Sequence, residues 1–76
     1  MSKYDHQQIA KELEATANGE SYYGNALYVA MELPWTSAND RQMLQRYLHG
    51  SELLSDRMRL QDFAIITRFK GEMPLK

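Results

Sequence analysis

Apolar residues recur at helical spacing in four segments, and the first of these lies near the start of the chain. Its apolar positions form one stripe along a helix, with polar residues opposite: Ile9, Ala10, Leu13 and Ala17. Asp5 and Gln8 stand three residues apart, which predicts a capping pair at the helix start. Asn18 and Gly19 tolerate a positive φ and predict its end.

The second segment is predicted as a helix over residues 21–33. Its apolar residues repeat with helical period: Tyr22, Tyr23, Ala26, Leu27, Ala30 and Met31. On this pattern Tyr22 and Tyr23 open the helix. Gly24 weakens it by about 1 kcal/mol relative to Ala, a cost that close packing of another backbone would explain.

The third segment has the clearest boundaries. Pro34 ends the preceding helix, and Ser37 with Asp40 predicts a new helix start, because the hydroxyl can accept from the backbone there. Gly50 predicts a left-handed C-terminal cap after a helix over residues 37–49. Its apolar face is expected to consist of Met43, Leu44, Tyr47 and Leu48.

The fourth segment admits two interpretations. Ser51 or Ser55 could cap a helix that bends near residues 54–56 and continues to Lys70. Residues 63–66 are apolar all round, which indicates a central or interfacial helix. The β-branched residues in 63–69 leave a strand as the alternative.

Together these segments predict an all-α fold, a small bundle of three to four short helices in a single domain over residues 1–76, with 1–4 and 71–76 as frayed tails. A chain of 76 residues has a marginal core, and with no Cys it lacks disulfide support. Self-association is therefore expected. We expect no membrane span and no secretory signal, since the first eight residues are polar, and a cytoplasmic location.

Charge is distributed unevenly along the chain. In residues 1–34 two lysines face five carboxylates, for a net −3, whereas in residues 35–76 seven cations face five carboxylates, for a net +2. Such asymmetry is typical of a basic face or of complementary dimer surfaces, and it also arises by chance in short chains.

Catalytic and metal-binding patterns are missing from the sequence. His6 and His49 fall at segment ends, without the spacing of a helical metal site. We expect no enzyme activity, no catalytic residue, no metal, no cofactor and no small-molecule substrate, because so small a domain seldom forms a substrate pocket.

DNA binding through the third segment is one functional hypothesis. As in a helix-turn-helix, the helix over 37–49 would present its polar side chains to base edges, and two arginines of the next segment would contact phosphates: Arg41, Gln42, Gln45 and Arg46, with Arg57 and Arg59. Asp40 and the net charge of −1 oppose it. We favour the interpretation that these side chains form a solvated helix face.

Protein binding is the favoured hypothesis. Tyr, Trp, Met and Arg are enriched at protein interfaces, and the candidate contact residues are Tyr22, Tyr23, Tyr28 and Trp35. Trp35 is better explained as packing in the corner between the second and third helices. The size and helix punctuation of the chain resemble those of small accessory proteins of phages and other mobile elements, which implies a regulatory or interaction role.

Overall fold

The computed structural model describes residues 5–51 and 53–72, with side chains through Lys70. It contains four α-helices, α1 (His6–Asn18), α2 (Gly24–Met31), α3 (Ala38–Leu48) and α4 (Leu54–Glu72). Within these residues there is no strand, so the prediction of a small all-α bundle is confirmed and residues 63–69 are helical. The predicted frayed tails fall largely outside the described residues, although α4 continues through Glu72.

Helix α1 begins and ends as predicted. The Asp5 carboxylate accepts hydrogen bonds from the backbone N–H groups of Gln7 and Gln8, and Gly19 adopts a left-handed φ of 78°. The predicted return bond from Gln8 does not form. Its side-chain amide donates instead to Glu12, one turn along the exposed face of the helix.

Helix α2 is shorter than predicted at both ends. Tyr22 and Tyr23 precede it, because the Tyr23 N–H donates to the hydroxyl of Thr16, 3.1 Å away on α1, and holds the chain in a non-helical connection. Gly24 then starts the helix beneath the ring of Tyr22, where an added Cβ would lie 3.3 Å from a ring carbon. A side chain therefore occupies the space in which a second backbone was expected.

Helix α3 forms between its predicted signals. The Ser37 hydroxyl accepts from the Asp40 N–H at 3.1 Å, and Gly50 follows the helix with φ 89°. Its apolar face lies as expected, with Met43 and Leu44 fully buried and Tyr47 and Leu48 half-buried against the core.

Helix α4 is one helix of 19 residues, with no bend at residues 54–56. Neither predicted serine caps it. Ser55 lies inside the first turn, while the Ser51 hydroxyl accepts from the Leu53 N–H and donates to Asp56.

The core lies between α4 and the other helices. Helix α1 packs antiparallel to α4, since Gln7 near the start of α1 bonds to Arg68 and Asn18 at its end bonds to Gln61. Helix α3 packs against α2 and α4. The largest buried side chains come from all four helices: Leu13, Leu27, Met43, Leu44, Leu60, Phe63 and Thr67.

Candidate functional site

The three candidate tyrosines lie on the surface. Tyr22 and Tyr28 are 61% and 60% exposed, and Tyr23 is 39% exposed. The ring of Tyr22 covers Gly24, which lies one turn before Tyr28 on the same face of α2. Tyr22 and Tyr28 therefore belong to one exposed aromatic surface beside the start of α2.

Trp35 does not join that surface. Its indole Nε1–H donates to the hydroxyl of Thr67 on α4 at 3.2 Å, and its ring meets His6 of α1 edge-on, with centroids 5.2 Å apart. The side chain is half-buried and packs against the core. The expected partner was α3, but Trp35 connects the α2–α3 corner to α1 and α4.

The candidate DNA-contacting residues are divided by the structure. Gln42, Gln45 and Arg57 are exposed. The other three, all arginines, are bonded within the protein. Arg41 donates to the carbonyl of Met31 at 3.3 Å, and Arg59 lies 3.5 Å from Asp40.

Arg46 makes the strongest of these contacts. Its guanidinium donates two hydrogen bonds to the carboxylate of Asp56, at 2.9 and 2.8 Å. Asp56 is only 3% exposed, and it also accepts from the Ser51 hydroxyl at 2.8 Å. The hydrogen bonds from Arg46, with a smaller contribution from Ser51, lower the pKa of the Asp56 carboxyl although burial opposes them. Asp56 in turn raises the pKa of Arg46, so both groups are charged at neutral pH.

A further exposed surface, absent from the sequence-based candidates, runs along α4. Five large apolar side chains of this helix are between 46% and 68% exposed: Leu54, Met58, Ile65, Ile66 and Phe69. On the opposite side of the same helix Leu60, Phe63 and Ala64 are buried. Helix α4 is thus apolar on two faces, of which the described part of the chain covers one. We call the five exposed side chains the α4 apolar face.

The sequence contained a signal for this surface. Residues 63–66 are apolar without interruption, which indicated a central or interfacial helix. Which two of the four side chains are buried depends on how α4 packs on α1 and α3, and periodicity alone cannot decide that.

An open groove borders the α4 apolar face. It has a volume of about 500 Å³ and lies between the start of α3 and the middle of α4, with Met58, Phe63 and Ile66 as its apolar walls. Asp40, Arg59 and Asp62 supply charges at its rim. The groove and the face together form a continuous apolar surface with a charged edge.

A second groove of similar volume, about 500 Å³, lies between α1 and the Tyr23 region. Its lining is mainly polar, and Arg68 at its edge is ion-paired with Glu14. Among residues 5–51 and 53–72 no group of three or more His, Asp or Glu side chains is arranged to hold a metal ion. None of the described helices is both long and apolar enough to cross a membrane.

Comparison with known proteins gives no relative. No protein-family model matches the chain, and neither a curated protein nor a solved structure matches it. The functional argument therefore depends on the chain's own surfaces.

Proposed function

We propose that the chain is a small, non-enzymatic protein-interaction module that self-associates through the α4 apolar face. The observation that carries the proposal is the exposure of Leu54, Met58, Ile65, Ile66 and Phe69 along a single helix. A contiguous apolar surface of this kind is typical of protein-binding sites rather than of a monomer's surface. Its alignment along one helix suits helix–helix packing.

The size of the chain supports the same proposal. A domain of 76 residues without Cys has a limited core, and covering the second apolar face of α4 would add buried surface that the monomer lacks. The proposal includes a cytoplasmic location, because a chain without Cys suits a reducing compartment. It also includes a regulatory accessory role, as in the phage proteins that the chain resembles in size.

The aromatic surface at Tyr22 and Tyr28 is a secondary candidate for contact with a different protein. Tyr is enriched at interfaces, but these rings lie in a connection and on a short helix, and Tyr22 packs on Gly24. We assign Trp35 to fold stability because it bonds to Thr67 and contacts His6.

DNA binding through α3 is the alternative that we disfavour. Arg46 is committed to Asp56, and Arg41 and Arg59 also have partners within the protein. Because Asp40 lies at the start of the same helix, a phosphate backbone would meet a carboxylate there.

Two matched variants test the proposal. Ile65 and Tyr28 are 58% and 60% exposed on different surfaces, so Ile65→Lys and Tyr28→Lys introduce the same charge at equal exposure. Sedimentation equilibrium should show that Ile65→Lys weakens self-association at least tenfold while Tyr28→Lys leaves it unchanged. Circular dichroism should show that both variants retain the helical content of the parent. Equal effects of the two variants, or a larger effect of Tyr28→Lys, would reject the α4 apolar face as the binding surface.

A further inference from the structure

The spacing of exposed residues along α4 carries information about orientation. Building on the proposed self-association, we infer that two copies of the chain pair through α4 in antiparallel orientation. Leu54 of one copy then faces Phe69 of the second copy, and Met58 faces Ile65 of the second copy. The two-fold axis passes between positions 61 and 62.

The first argument is geometric. The four most exposed apolar residues of α4 are Leu54, Met58, Ile65 and Phe69. At about 100° per residue they lie within an arc of about 60°, directly opposite the buried side of the helix. Their separations of four, seven and four residues read the same from either end of α4. An antiparallel copy therefore places apolar side chains against apolar side chains along the whole length, as a symmetric interface requires.

The second argument concerns area. The exposed fractions of the α4 apolar face correspond to about 600 Å² of side-chain surface per copy, so two copies would bury about 1,200 Å². That total lies at the lower end of specific interfaces and suits a reversible dimer. A second copy supplies a surface of equal length and equal apolar character, so the helix itself is a sufficient partner.

Charge selects the orientation. In an antiparallel pair, each flank of the helix meets the same flank of the second copy. Arg59 and Asp62 both lie on the flank that borders the groove toward α3, so each Arg59 would approach Asp62 of the second copy. A parallel pair joins opposite flanks and would bring Arg57 beside Arg59 of the second copy. Antiparallel helices also align their dipoles favourably.

The other flank remains compatible with this pairing. Arg57 would approach Arg68 of the second copy, but Arg68 is already ion-paired with Glu14 on α1. Gln61 is neutral and is hydrogen-bonded to Asn18. The one like-charge approach of the antiparallel arrangement is therefore partly neutralised within each copy.

Cysteine cross-linking tests the orientation, because the chain has no Cys of its own. A disulfide requires Cα atoms within about 7 Å, so it reports which positions meet. Asp62→Cys lies beside the proposed axis and should form a disulfide with its own copy on mild oxidation. Leu54→Cys and Phe69→Cys should each remain uncross-linked alone. An equimolar mixture of these two, one carrying a mass tag, should give the mixed dimer.

The controls separate this inference from self-association itself. Tyr28→Cys has similar exposure on the other surface and reports random collision. A dimer in which Leu54→Cys cross-links to itself is parallel, and it overturns the antiparallel pairing while the proposed function stands. A dimer that forms no α4 cross-link also overturns the inference alone. A protein that stays monomeric overturns both.

Discussion

Arg46 and Asp56 form a bidentate ion pair that joins the end of α3 to the start of α4, with both hydrogen bonds shorter than 3.0 Å. The carboxylate is buried, whereas the guanidinium reaches solvent. The pair closes the loop around Gly50 and fixes the direction in which α4 leaves α3. The same arginine was a candidate for contacting DNA, so its role in the fold changes the functional interpretation of α3.

Removing the Asp56 carboxylate should destabilise the fold. Asp56→Ala loses three hydrogen bonds, two from Arg46 and one from Ser51, and is expected to lower the free energy of unfolding by about 1–3 kcal/mol. Chemical denaturation monitored by circular dichroism measures the change. Glu20→Ala, at an exposed position in the α1–α2 connection, is the matched control and should stay within about 0.5 kcal/mol. An Asp56→Ala variant as stable as the parent would remove the pair from the account.

The contribution of Asp56 should also depend on pH. Its pKa is lower in the folded protein than in the unfolded chain, where Asp titrates near 3.9, so acid protonates the unfolded state first. The stabilisation is therefore complete above the unfolded pKa and is lost as the pH falls through the lower folded pKa. The stability difference between the parent and Asp56→Ala should be constant from pH 7 to about pH 5 and shrink below about pH 4. A difference that grows on acidification would contradict this assignment.

Trp35 should stabilise the fold through Thr67. Trp35→Phe removes the indole N–H that bonds to Thr67 and reduces the contact with His6. In a double-mutant cycle with Thr67→Val, the two side chains should show a coupling energy of about 0.5–1.5 kcal/mol. Self-association should be the same in Trp35→Phe as in the parent. Loss of self-association in a fully folded Trp35→Phe variant would make Trp35 a contact residue.

DNA should not bind specifically to this protein. Titration of duplex DNA at low salt, followed by fluorescence anisotropy, is expected to show no binding whose affinity falls steeply with salt concentration. Arg57→Gln and Arg41→Gln alter exposed cations without touching the Arg46–Asp56 pair, so they provide controls. Tight, salt-sensitive binding that either variant weakens would restore the DNA hypothesis.

Local signals in the sequence predicted the helix boundaries well. Asp5, Gly19, Ser37 and Gly50 act within a few residues of themselves, through caps and left-handed turns, and each lies where it was expected. The start of α2 was wrong because a contact from α1 decides it. The Thr16 hydroxyl accepts from the Tyr23 N–H, seven residues further along the chain.

The surfaces were harder to predict than the helices. Arg46 and Asp56 are ten residues apart on different helices, and the spacing of either one alone indicates only a polar position. Residues 63–66 are all apolar, so the choice of Phe63 and Ala64 for the core and of Ile65 and Ile66 for the surface depends on the position of α1. Sequence analysis therefore selected the tyrosines for protein binding, while the larger apolar surface lies on α4.

The mass of the protein in solution, measured over a range of concentrations, tests the central claim most directly. The chain has a mass of 8.9 kDa. Self-association through the α4 apolar face predicts a rise toward twice that value with a dissociation constant in the micromolar range, since the interface is small. A mass that stays at 8.9 kDa up to about millimolar concentration would contradict the account.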